Sequence, residues 1–382
     1  DGKMDRVAVK RVENYEEDLF NKIKDSIDLF GGIDKYINDG DKVILKVNLL
    51  MGKNPDEAVT THPEILRAVA RLVKNAGGTP IIADSPGGPF NDINLSRAYK
   101  ISGFEKIAEE ENIELNHDTE GEKVEFSKGK IKKSFTIANY ARNADFIINL
   151  PKLKTHGLTM YTGAVKNLFG IIPGLLKAEY HLNLQEVEHF SEMLVDLAEL
   201  ISPELTIMDG ILGMEGAGPS GGQTKKFNHL LVSTSPFAID LAGAYIMGIN
   251  PQNKVPTIAS AQKRNLIGDI DSLEIIGDEL KAFTDTQIPK IEKRSNLIDQ
   301  KLPGFLSDFL ANILRPRPVF NHEKCVGCGD CVESCPADTI DLIDSKAVVD
   351  LDNCIRCFCC QELCSYNAVK IKRPLLGKLL FS

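Results

Sequence analysis

All nine cysteines of the chain fall between Cys325 and Cys364, and eight of them repeat one spacing twice. Cys325, Cys328, Cys331 and Cys335 spell C-x2-C-x2-C-x3-C, and Cys354, Cys357, Cys360 and Cys364 spell it again. Three thiolates at every third position let one loop grip three iron corners of a cubane, while the fourth lies too far along to close the same cluster. The spacing therefore predicts two 4Fe–4S clusters with crossed ligation, the first by Cys325, Cys328, Cys331 and Cys364 and the second by Cys354, Cys357, Cys360 and Cys335. Pro336 turns the chain away after the first run, whereas Ser365 follows the second and is expected to change only the hydrogen bonding near the first cluster. A disulfide framework fits poorly, because the count is odd and no signal peptide is visible. Zinc knuckles would want paired C-x2-C steps rather than triplets with a trailing fourth cysteine. Cys359 is left over and reads as a small buried side chain beside a cluster.

A second concentration of chemistry lies at 149–170, N-L-P-K-L-K-T-H-G-L-T-M-Y-T-G-A-V-K-N-L-F-G. Pro151 is expected to end a strand before a loop bearing Lys152, Lys154 and His156, with Lys166 and Asn167 on a following helix. Three lysines and a histidine close together in an acidic chain suit a carboxylate, a phosphate or an acidic partner; the competing reading is a solvated basic loop. Further polar groups stand where strands should end: Lys46 and Asn48, Asp84, Asn149, and Asp209. They read either as the lining of one cleft or as caps of neighbouring turns. His156 or Asp209 would move protons there. His62, His156 and His181 are weighed as a metal site against isolated structural histidines. In the glycine-rich stretch 209–222, Gly216, Gly218 and Gly221 formally match G-x-G-x-x-G, yet a strand rather than a helix follows, which disqualifies a dinucleotide site. Gly216 and Gly218 remain candidates for close backbone approach to a ligand, against a plain tight loop.

The elements that must position these groups alternate strand-like and helix-like patterns over 1–285, which predicts an α/β domain around a mainly parallel sheet flanked by helices. Strands are expected at 7–12, 41–49, 80–84, 144–150, 205–209, 229–233 and 273–277. A helix should begin at T-H-P-E, 61–64, with Thr61 as cap and Glu64 closing a capping box, and end at Gly77 and Gly78. A connector spans 286–320, with Phe305, Leu306, Phe309, Leu310, Ile313 and Leu314 on one helical face. It either docks the cysteine module, 321–373, or meets a membrane surface. The apolar tail, 374–382, either packs back or forms a subunit contact in a homodimer.

The cysteine segment resembles a bacterial two-cluster ferredoxin, down to the echo of N-H-E-K-C-V-G-C in L-D-N-C-I-R-C. The resemblance implies a small pseudo-symmetric α+β module with two short helices and two hairpins. The larger part resembles the prokaryotic family catalogued as domain of unknown function 362, through K-V-N-L at 46–49, T-H-P-E, N-L-P-K-L-K-T-H with A-V-K-N-L-F-G, and D-G-I-L-G-M-E-G-A-G-P. That family commonly carries a ferredoxin-like tail, and the resemblance implies architecture and important loops without a substrate.

With 45 basic and 54 acidic residues in 382, the net charge of −9 argues against sequence-independent nucleic-acid binding. No apolar run is long enough for a transmembrane segment, and cysteines confined to metal loops point to a reducing cytoplasm. Single-electron transfer through two clusters is the expected chemistry, and anaerobic handling its expected requirement. The body then serves either as an oxidoreductase pocket for an anionic substrate or cofactor, as an adaptor docking one redox partner protein through the lysine segment, or as a metallocofactor assembly or activation factor.

Overall fold

The computed structural model describes residues 5–249, 255–289 and 316–372. The connector face at 305–314 and the tail at 374–382 lie outside the described residues.

The body is built on one sheet. In chain order its strands are β1 (Asp5–Arg11), β2 (Lys42–Val47), β3 (Thr79–Ala83) and β4 (Glu114–Leu115), then, after the small hairpin β5 (Gly121–Glu125) and β6 (Ser134–Ala138), β7 (Phe146–Leu150), β8 (Lys152–His156), β9 (Met160–Thr162), β10 (Leu205–Glu215), β11 (Gln223–Ser233) and β12 (Leu273–Gly277). The spatial order is β12-β1-β11-β10-β7-β2-β3-β4, with β8 and β9 added beside the far half of β10. Neighbours from β10 to β4 are parallel, as are β1 and β12, and only β11 runs antiparallel to both its neighbours on this path. The mainly parallel α/β architecture is therefore as the sequence predicts.

Side chains of β2 show why the strands read as continuous apolar runs. Val43 and Leu45 join one core with the helices Leu19–Asp28, Pro63–Asn75, Asp92–Ile101 and Phe104–Glu111, while Ile44 between them joins another with Val187–Ile201. Successive residues of a strand face opposite ways, so a sheet covered on both faces demands apolar residues at every position. A third cluster, under Pro236–Ile246 and Pro256–Lys263, covers the β1 and β11 end.

The structure corrects several local expectations. His62, not Thr61, caps the helix Pro63–Asn75, its Nδ1 accepting from the N–H of Glu64. The Thr61 hydroxyl is already engaged, donating to the carbonyl of Leu150 and accepting from the N–H of Asn48. Lys152–His156 is a fully buried strand rather than a loop. The first half of the glycine-rich stretch is also strand: β10 runs to Glu215, and β11 begins at Gln223, just after the stretch. A Cβ at Gly213 would lie 2.6 Å from the carbonyl oxygen of Leu153 and 2.8 Å from the Phe227 ring. These glycines serve close strand packing, which is one of the two things glycine does inside a strand.

The C-terminal module pairs its first strand, β13 (Arg317–Phe320), with its last, β16 (Val369–Lys372), and closes β14 (Ile340–Ile343) onto β15 (Lys346–Val349). Two one-turn helices, Asp330–Glu333 and Cys359–Glu362, complete it. Only the second strand pair is a hairpin; the other joins the module's ends.

Candidate functional site: a cationic cavity against the cysteine module

Both cysteine loops fold alike. Gly327 and Gly329 adopt φ of +71° and +88°, and the equivalent residues of the second loop, Arg356 and Phe358, adopt +57° and +66°. Holding Arg and Phe in the left-handed region is unfavourable, so the wrapping path is imposed by the module and not by glycine. Cys325, Cys328, Cys331 and Cys364 line one cavity of about 20 Å³. Burial pushes the Cys331 thiol up to about 11, and its next influences are Cys328, Cys364 and Cys325. Burial likewise raises Cys360, with Cys357, Cys354, Cys331 and Cys335 as its neighbours. Backbone N–H groups of Ala347, Arg356 and Ala368 face the sulfurs of Cys325, Cys354 and Cys364, and that of Thr339 faces Cys335, at 3.2–3.4 Å. A cavity lined by four thiols, two of them facing N–H donors, fits a 4Fe–4S cluster, whose potential such hydrogen bonds tune.

The module packs on the carboxyl ends of the body's strands. The Ser220 hydroxyl donates to the carbonyl of Glu362 at 2.7 Å, Gln361 Nε2 donates to Ala217 O at 3.2 Å, and Lys53 Nζ donates to Ser365 O at 3.0 Å. Between them lies a cavity of about 110 Å³. The body contributes Asn48, Asp84, Lys154, His156, Lys166, Asn167, Lys177 and His181, and the module contributes Ser334, Cys359, Glu362 and Leu363.

Each body residue is positioned by a traceable device. The Lys154 ammonium spends two of its three donors on Asn48 Oδ1 and Val59 O, both at 2.8 Å. A file of amides then runs Asn48 to Asn167 to Asn149 to the carbonyl of Ala164, each amide nitrogen donating to the next oxygen. Asp240 accepts from the N–H groups of Ala164 and Val165 and from the Tyr161 hydroxyl, fixing the turn that presents Lys166 and Asn167. Asp84 is held by Lys46 at 2.8 Å and by the N–H groups of Leu49 and Ser85. Lys46 is thus a brace behind the cavity rather than part of its lining. Gly170 leaves the room this pair needs, since a Cβ there would sit 2.0 Å from Asp84 Oδ1 and 2.8 Å from Lys46 Nζ. Gly170→Ala is expected to lower stability by about 1–3 kcal/mol, the usual cost of overpacking, measured as a shift of the urea midpoint; an unchanged midpoint would contradict the packing.

Burial sets the protonation of the lining. It lowers Lys154 to about 7, with Lys166 and Lys152 adding to the effect. Burial brings Lys177 to about 7 as well, and this lysine is saturated by Ser85 O, Ser85 Oγ and Ile172 O. His181, stacked on Phe190 at 4.3 Å, is lowered by burial to about 4 and is neutral. His156 is fully buried and lowered by burial and then by Lys166. Its Nδ1 accepts from the N–H of Leu158 at 3.1 Å, which assigns the ring proton to Nε2.

Lys152 and Asp209 are not in this cavity. They form a separate sealed network, with Lys152 Nζ 2.8 Å from Asp209 Oδ2, the Tyr15 hydroxyl donating to Asp209 Oδ1 at 2.7 Å, and Lys152 donating to Tyr15. His62 stacks on Tyr15 at 3.5 Å. Asp209 and the Tyr15 hydroxyl also accept from the N–H groups of His62, Ile211 and Leu212, so the network braces β8 against β10 away from the cavity. His62 is thereby kept apart from His156 and His181, and among the described residues no three His, Cys, Asp or Glu side chains converge on a single metal ion. Gly216 and Gly218 do not line the cavity either; Pro219 does. Gly218 instead backs onto the carbonyl of Thr155, where a Cβ would come within 2.1 Å. The buried Lys152 and Lys154 offer no docking patch to a partner. Sequence reasoning missed Lys177, Ser85, Cys359 and Glu362 as lining. Only a basic residue 11 positions after Lys166 hinted at the first, and nothing local signals the module's contributions, because they face the cavity only after docking.

A body of this topology joined to such a module defines a family. The family model described as domain of unknown function (DUF362) matches residues 43–245, and that of a 4Fe-4S dicluster domain matches residues 317–365. The chain belongs to the DUF362 family and carries a C-terminal 4Fe–4S ferredoxin-type domain. It is similar to Thylakoid-associated protein sll1697 of Synechocystis sp., 34% identical over 268 residues, covering 68% of this chain and 79% of that protein. The module is similar to a ferredoxin of Alicyclobacillus acidocaldarius, 40% identical over 54 residues, covering 14% of this chain and 69% of that one. Among solved structures, the lactate racemase apoprotein from Thermoanaerobacterium thermosaccharolyticum aligns at 13% identity and a TM-score of 0.38 over 64% of this chain and 57% of that one, too slight a likeness to carry weight. Among the described residues no helix is long and apolar enough to cross a membrane.

Proposed function

We propose that this chain is an iron–sulfur redox protein that passes single electrons to or from an anionic molecule bound in the cavity between module and body. Cys325, Cys328, Cys331 and Cys364 would hold one 4Fe–4S cluster, and Cys354, Cys357, Cys360 and Cys335 the other. When bound, the clusters supply one-electron carriage, each taking one electron from an outside redox partner and yielding one onward. Lys154 and Lys166 bind the anion, Asn48 and Asn167 fix the lysine's direction, and His156 Nε2–H is the proton donor facing it. The observation that carries this reading is the shared wall: the cationic side chains of the body look across 110 Å³ at the helix Cys359–Glu362, which holds a predicted cluster ligand, Cys360.

Calorimetry on anaerobically purified protein tests it. A small carboxylate or phosphate should bind, and Lys154→Met should weaken binding at least tenfold. Protonated Lys154 is the form an anion prefers, and its empty-site value is about 7. Affinity is therefore full below pH 7 and falls, by up to tenfold per pH unit, as the pH rises beyond it. Absence of binding, or an affinity that grows above pH 7, would overturn the assignment.

A further inference from the structure

One carboxylate of the cavity wall stands where an anion would be expected. Glu362 comes from the module, is only 6% exposed, and places Oε1 3.2 Å from His156 Nε2. The two atoms are not aligned as donor and acceptor, and each is left without a hydrogen-bond partner among the described residues. Asp84, the other carboxylate of the lining, is fully taken by Lys46 and two backbone N–H groups. Glu362 is therefore an ill-fitting occupant of the body's cationic side chains, delivered by the docking of the module.

We propose that Glu362 is a tethered stand-in for the carboxylate of the ligand: the cavity takes a small carboxylic acid whose carboxylate displaces the Glu362 side chain from His156 Nε2–H and shares Lys154 and Lys166. This deepens the anion-site reading and rests on it. His156 Nε2 already faces one carboxylate, and Lys154 and Lys166 line the same cavity, a set that suits a planar two-oxygen group arriving on another molecule. The ligand and Glu362 carry like charge in a water-poor space, where two carboxylates repel strongly. Glu362 thus weakens ligand binding, and a bound acid pushes on the helix beside Cys360.

The test is calorimetry of acetate and inorganic phosphate on the cluster-loaded chain, wild type and Glu362→Gln. Acetate should bind the variant about tenfold more tightly than the wild type, a change of ~1.4 kcal/mol, and more tightly than phosphate. Where the glutamine variant loses iron, Glu362→Asp, which withdraws the carboxylate by one methylene, should raise acetate affinity about threefold. A fall in affinity would make Glu362 a binding group and overturn the proposal, as would equal affinities in variant and wild type or tighter phosphate binding. If neither anion binds either form, the anion-site reading itself falls, and this inference with it.

Discussion

Asp84→Asn is expected to cost about 3–5 kcal/mol of stability, the usual penalty for removing one partner of a buried ion pair. Lys46 is wholly buried and has Asp84 Oδ1 and the carbonyl of Val47 as partners. Burial already lowers its pKa against the pull of Asp84. Without the carboxylate the ammonium is left with neutral acceptors alone, and two N–H groups that faced carboxylate oxygens lose charge-assisted bonds. Asp84 also follows β3 directly and lines the cavity, so the same substitution should weaken anion binding. Chemical denaturation gives the first effect, and a midpoint within experimental error of wild type would show that the pair contributes little.

The second large effect concerns the module. Cys335→Ala removes a residue of the first motif and should abolish the second cluster, halving iron and sulfide to about four of each per chain. The first cluster, whose four cysteines line one cavity, should persist. Cys359→Ala should leave the iron content of both unchanged, because Cys359 lines the larger cavity and touches the Cys357 thiol only as a neighbour. Retention of full iron in Cys335→Ala, or loss of iron in Cys359→Ala, contradicts the crossed assignment.

What the sequence disclosed follows from how local the signal is. The cysteine spacing and the apolar runs are properties of a few consecutive residues, and the sheet, its strands and the module are legible from them. Of the groups expected at strand ends, Lys46, Asn48, Asp84, Asn149 and Asp209, only Asn48 and Asp84 line the cavity, while the 149–170 segment contributes Lys154, His156, Lys166 and Asn167 to it. Lys152 and Asp209 lie outside it, facing each other across paired positions of β8 and β10 and neutralising one another. Alternation along β8 puts Lys152 and Lys154 on one face, yet the register between β8 and β10 shifts between their partners, Asp209 and Met214, and sends the two lysines to different neighbours. Thr61 was passed over as a cap because a distant carbonyl, that of Leu150, claims its hydroxyl. Glu362 was invisible for the same reason at larger scale: its partner His156 is 206 positions away in the chain.

The most direct measurement is iron and acid-labile sulfide analysis of anaerobically purified protein, followed by spin quantitation after reduction. Two interacting 4Fe–4S clusters would give about eight iron and eight sulfide per chain and about two unpaired spins. Zinc in their place, or about four iron with a single spin, would contradict the two-cluster assignment.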